Sequence, residues 1–403
     1  MSKVWDWVHD LLYALDDAGE QAVADAVLNI GTYANDRDYE QLEAVYPVLL
    51  GYARANELPW LEVYARHWRL QAYLNGGQRL QEMLPEAVSL IARTAREDAR
   101  DCPQRRCAVQ DISIAYAAVD APGYAAERLA AVSETAAEID PSYSCSGCLM
   151  SEAVEALCSL NRHAEALRLG FDWLERARAE PEFRYTEVHF WSTQARGIFD
   201  AAIAIGDLAA AERILTRAEP ETEEDHLWKA MAQARFELAR GDSAAAAEHL
   251  PQMMEPRYGL LRPRWLEVAT VLALSRAIAN DAELGAQAKS VLETAEANGL
   301  WRHAFNAACN GAELALARGR PAAAALRLQD GARLRAHLRG SHGADERLAA
   351  LQTRAAQTAP AGGSDAEAAL DAALAAGDAA AGAIALAKLN EASERWALLA
   401  APV

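Results

Sequence analysis

The sequence predicts an all-α protein built as a solenoid of stacked helical hairpins. Three observations predict it. A Gly-Asp type turn recurs at near-constant spacing, a tryptophan recurs with nearly the same period, and strand signals are almost absent. Ala is abundant, Leu, Glu and Arg are common, and only 14 Pro and 23 Gly punctuate 403 residues, mostly between helical stretches. That is the bias of a helical chain.

From the N-terminus, Met1 to Asp17 carries Asp6, Asp10, Asp16 and Asp17 among apolar residues, which is not the charged-then-apolar layout of a signal peptide. No apolar run approaches the ~18 residues that span a bilayer. A cytoplasmic location with no membrane contact is expected, so the six cysteines are expected to be thiols or metal ligands.

The turns follow. Gly206-Asp207, Gly241-Asp242, Asn280-Asp281 and Gly319-Arg320 are spaced 35, 39 and 39 residues apart. Gly or Asn supplies the left-handed residue that ends one helix, and Asp caps the next. Upstream, Asn35-Asp36, Asn75-Gly76, Pro122-Gly123 and Asn161-Arg162 play the same part more loosely. A single helix pair cannot bury its apolar face, and stacking of pairs supplies the cover. The reading is an array over residues 1–355, a flexible linker over 356–364 containing TAPAGGS, and an Ala-rich helical pair over 365–403 acting as cap or tail.

A small residue stands five positions after the turn at Ala166, Ala211, Ala246 and Ala324, and seven before it at Ala234, Ala273 and Ala312. In this grammar the chain resembles the tetratricopeptide-repeat family over roughly residues 20 to 340. Most units are longer than the family's, at about 34 residues, and no regular terminal Pro closes them. The resemblance implies a right-handed α-solenoid of about eight to nine hairpins. It also implies a concave groove, lined by the first helix of each pair, that binds a peptide or a partner helix.

Trp191, Trp228, Trp265 and Trp301 are separated by 37, 37 and 36 residues near the starts of first helices, and Trp60 holds the same place before Asn75-Gly76. A large ring at a repeated position wedges between successive helices, or it faces the groove and anchors a ligand. His189, His226 and His303 stand two residues from three of these rings, and His67 is beside Trp68. Such pairs either read a ligand's carboxylate or amide, or are ordinary helix-end histidines. The candidate partner-binding set is therefore His189, Trp191, His226, Trp228, Trp265, Trp301 and His303.

Between Trp60 and Trp191 the series is interrupted, and DCPQRRC and SCSGC stand there instead. Cys102, Cys107, Cys145 and Cys148 at two neighbouring helix starts have the number and softness that one structural Zn²⁺ requires. Buried free thiols, and a redox pair at Cys145 and Cys148, are the alternatives. Cys158 and Cys309 read as core.

Charge narrows the function. Against 39 basic residues stand 58 acidic ones, a net charge of −19 that repels nucleic acid and suits a protein or peptide partner of basic character. No phosphate-binding Gly loop, HExxH or GxSxG elbow is present. The expected role is a non-enzymatic binding scaffold. An immunity- or antitoxin-like neutraliser of one basic protein, and a thiol- or metal-dependent enzyme centred on the cysteines, are the alternatives.

Overall fold

The computed structural model describes residues 3–138, 146–179, 195–358 (apart from 218, 221, 253, 256 and 257), 373 and 377–384. Among them the chain is all helix, with no strand. It divides into two compact units, Met1–Arg240 and Gly241–Val403.

The first unit holds α1 (Lys3–Asp17), α2 (Gln21–Asp36), α3 (Tyr39–Ala55), α4 (Pro59–Gly76), α5 (Leu80–Thr94) and α6 (Arg105–Asp120). It continues with α7 (Ala125–Ala137), α8 (Ser146–Ser159), α9 (His163–Ala179), α10 (Ala195–Ile205), α11 (Leu208–Leu215) and α12 (Glu223–Ala239). Helices α2, α4, α6, α8, α10 and α12 form one row in which each packs on the next. Helices α3, α5, α7, α9 and α11 form a second row, each wedged between two members of the first. This is the two-layer stacking of helical hairpins expected from the turn spacing.

The second unit repeats the arrangement with α13 (Ser243–His249), α14 (Leu261–Leu274), α15 (Ala282–Ala297), α16 (Trp301–Ala317), α17 (Pro321–Arg335) and α18 (Ala344–Thr358). Here α14, α16 and α18 make the first row, while α15 and α17 lie between them. Residues 356–358, read as the start of a linker, continue α18.

Turn chemistry sets the hairpins. Gly206, Gly241 and Gly319 take φ of 74°, 86° and 66°, which only glycine adopts without steric cost. Asp207, Asp242 and Asp281 then cap the following helices, accepting from the backbone N–H of Ala210, Ala245 and Leu284. One turn is displaced from its expected place. Helix α14 stops at Leu274 and the left-handed residue is Arg276 at φ 64°, while Asn280 donates its Nδ2 to the carbonyl of Leu314.

The repeated small residues lie in the core. Ala166, Ala211, Ala234, Ala246, Ala312 and Ala324 are all fully buried, and Ala273 nearly so. A larger side chain at these points would have to push two helices apart, since protein interiors have little free volume to absorb it.

Candidate functional site

The side of the first row that faces away from the second row, here the inner face, with the second row the outer one, can be located from α4. Glu62, Arg66 and Arg69 of that helix face the outer row: Arg66 Nε donates to Glu86 at 2.7 Å, Arg69 Nε to Glu43 at 2.8 Å, and Arg93 Nε to Glu62 at 2.8 Å. At about 100° per residue, Trp60, Tyr64 and Gln71 fall on the opposite side, with Trp68 between them and α2. Gly31 of α2 makes room for that indole, because a Cβ there would lie 3.1 Å from the Trp68 ring. Tyr64 is fixed by donating its hydroxyl to the carbonyl of Val27 at 3.0 Å, and burial pushes its pKa up to about 12.

Helix α1 lies on this face. Trp5 stacks on Trp68 with centroids 5.9 Å apart and meets Tyr64 edge-on at 6.3 Å. Trp7 meets Trp60 and Tyr64 edge-on at 5.7 and 5.8 Å, and its Nε1 donates to Gln104 just before α6 at 3.0 Å. Val8 and Leu15 of α1 are buried, whereas Asp6, Asp10, Asp16 and Asp17 are exposed. The helix is thus amphipathic, with an apolar side on the row and carboxylates outward. Offset and edge-to-face aromatic pairs of this kind contribute about 0.5–1.5 kcal/mol each beyond the area they bury.

The repeat pattern of the sequence assigns neither Trp5 nor Trp7 a role. The signal was present as aromatic residues at positions 60, 64 and 68, one helical turn apart, together with Trp5-Asp6-Trp7. Their convergence depends on how α1 folds back, which no local pattern states.

The gap in the Trp series coincides with a belt of buried polar groups. His67 of α4 and Asp111 of α6 approach to 2.7 Å between Nδ1 and Oδ2, both almost fully buried. Ser113 of α6 donates to Glu152 of α8 at 2.6 Å, and Arg128 of α7 donates to both, at 3.2 Å to Ser113 and 3.0 Å to Glu152. Burial raises the pKa of Asp111 and of Glu152, opposed by His67 in the first case and by Arg128 in the second. Helices α4, α6 and α8, three successive members of the first row, are therefore cross-linked by buried polar contacts where the array lacks its repeated ring.

The cysteines occupy the same junction. Cys107 and Cys148 sit in the first turns of α6 and α8, which are neighbours in the row, and Cys102 precedes α6. Cys102 is buried, its Sγ lies 3.5 Å from Gln104 Oε1, and burial pushes its pKa up to about 12. Burial thus disfavours its thiolate, the nucleophilic form. Cys145 lies outside the described residues. Among the described residues no three His, Cys, Asp or Glu side chains gather as metal ligands would. Cys309 is fully buried, as a core residue should be, and Cys158 is half-buried with its Sγ 3.4 Å from the carbonyl of Gly197.

The remaining aromatic and histidine candidates separate by burial. Trp228 is buried, with the Arg196 guanidinium 3.8 Å from its ring centre. Trp265 is buried and donates its Nε1 to the carbonyl of Pro251 at 2.7 Å. Trp301 is half-buried and stacks on His337 at 4.2 Å, while His226 is exposed. His303 is held neutral, its pKa pushed down to about 4 by burial and by the charges of Arg264 and Arg302. His189 and Trp191 lie outside the described residues.

Among the described residues no helix is long and apolar enough to cross a membrane. No protein-family model matches the chain, and no curated protein matches it either. The adjacent helix pairs are compatible with a helical-repeat fold, and no family match confirms the tetratricopeptide family itself.

Proposed function

We propose that the chain is a non-enzymatic scaffold that binds a protein or peptide of basic character along the inner faces of its helix rows. The observation that carries this reading is α1 lying with its apolar side on Trp60, Tyr64 and Trp68: this face accommodates a helix in the way a bound partner helix would lie. Charge supports the basic character of the partner. The chain carries −19 overall, and the outward side of α1 adds Asp6, Asp10, Asp16 and Asp17 beside the same face.

Affinity purification on the full chain tests the reading. A basic protein should be retained, and its association rate should fall as salt rises from about 0.05 to 0.5 M, since exposed charges are screened beyond about 10 Å at 0.1 M. Recovery of a nucleic acid, or binding indifferent to salt, would overturn it.

A further inference from the structure

Helix α1 is attached to the inner face lightly for its position. Its turn into α2 passes through Gly19 at φ 72°, where an added Cβ would meet nothing within 4 Å. Among the described residues its side chains show one hydrogen bond to the rest of the unit, Trp7 to Gln104, and no ion pair, and four of its carboxylates are exposed. What holds it is the contact of Trp5 and Trp7, both only half-buried, with the α4 aromatics, and the burial of Val8 and Leu15.

The fit is also incomplete. Gln71 Oε1, one turn beyond Trp68 on the same face of α4, is buried without a hydrogen-bond donor. A buried polar group left unmet costs about 1–3 kcal/mol. The face thus presents an aromatic surface that α1 covers and a buried carbonyl, that of Gln71, that α1 does not serve.

We propose that α1 is a resident occupant of this face that exchanges with an amphipathic helix of the partner, one presenting aromatic side chains to Trp60, Tyr64 and Trp68 and a side-chain donor to Gln71. The inference rests on the scaffold reading and adds its regulation. The free chain is self-covered, and a partner's apparent affinity is reduced by the fraction of chains in which α1 is seated. A helix that supplies the missing donor has a differential interaction with the open state, which displacement requires.

A fluorescent synthetic peptide of residues 1–17 is the probe, titrated with the full chain in two forms, wild type and W5A/W7A. With its own helix unseated, the double variant should bind the peptide at least about ten-fold more tightly than wild type does. Adding Trp60→Ala to the double variant should weaken that binding. A variant of unchanged helicity that fails to bind the peptide, or binding indifferent to Trp60→Ala, would overturn the proposal. Should the double variant lose helicity, hydrogen exchange on the wild-type chain decides. Amides of α1 should exchange at least about ten-fold faster than those of α2 and α4, and equal protection would make α1 a fixed part of the fold. Peptide exchange needs no cellular partner, so its failure beside a salt-sensitive basic partner leaves the scaffold reading standing. Success of exchange without any such partner separates the two in the other direction.

Discussion

Arg37, the left-handed residue that closes α2, donates from Nη2 to Glu224 in the first turn of α12 at 2.5 Å, across 187 residues of chain. A simple array of hairpins predicts contacts between neighbours only. Within the first unit this pair joins the first and last helices of the inner row. Arg196 of α10 reaches the other oxygen of Glu224 at 3.5 Å, so one carboxylate serves two guanidinium groups.

That arrangement predicts an asymmetry. Arg37→Ala should lower stability by about 0.5–1 kcal/mol, as for a partly exposed pair. Glu224→Ala should cost more, because it leaves two arginines without their carboxylate. Chemical denaturation of both single variants and the double variant measures the coupling, which should shrink in high salt.

Glu152 should be the most sensitive polar position in the interrupted part of the array. Glu152→Ala strands the buried Arg128 guanidinium, a loss of about 3–5 kcal/mol. Replacement of Ser113 by Ala removes only a neutral member of the network and should cost about 1 kcal/mol. Melting temperatures of the two variants, compared at neutral pH, check the order.

His303 gives the second unit a pH dependence. Its folded pKa, near 4, lies below the ordinary histidine value, so between about 6.5 and 4 the unfolded chain takes a proton that the folded chain refuses. Stability from this residue is fully present above about pH 6.5 and is lost as pH falls towards 4, by up to about 3 kcal/mol. Denaturation midpoints from pH 7.5 to 4.5 should therefore fall less steeply in His303→Gln than in wild type.

The two tryptophans of the second unit should differ in cost. Trp265 is buried and hydrogen-bonded, so Trp265→Ala should destabilise by about 3–5 kcal/mol. Trp301 is half-buried against His337, and its removal should cost about 1–2 kcal/mol. Thermal melts of the two variants test the difference.

The sequence by itself determined the helical class, the phasing of most hairpins and the small residues buried between them. Gly206, Gly241 and Gly319 with their capping neighbours are local devices: each sets the backbone within a few residues of itself. The alanines at fixed distance from those turns are legible for the same reason, because position in a hairpin fixes which side chain meets the next helix. Periodicity alone left the Trp series undecided, since a ring repeated every hairpin satisfies a core reading and a groove reading equally. Burial of Trp228 and Trp265 places those two rings inside. Only the tertiary structure brought Trp5 and Trp7 onto Trp60, Tyr64 and Trp68, set His67 against Asp111, and joined Arg37 to Glu224. Those contacts depend on the path of whole helices through space, and a pattern that repeats every turn or every hairpin records which face is apolar without recording what comes to cover it.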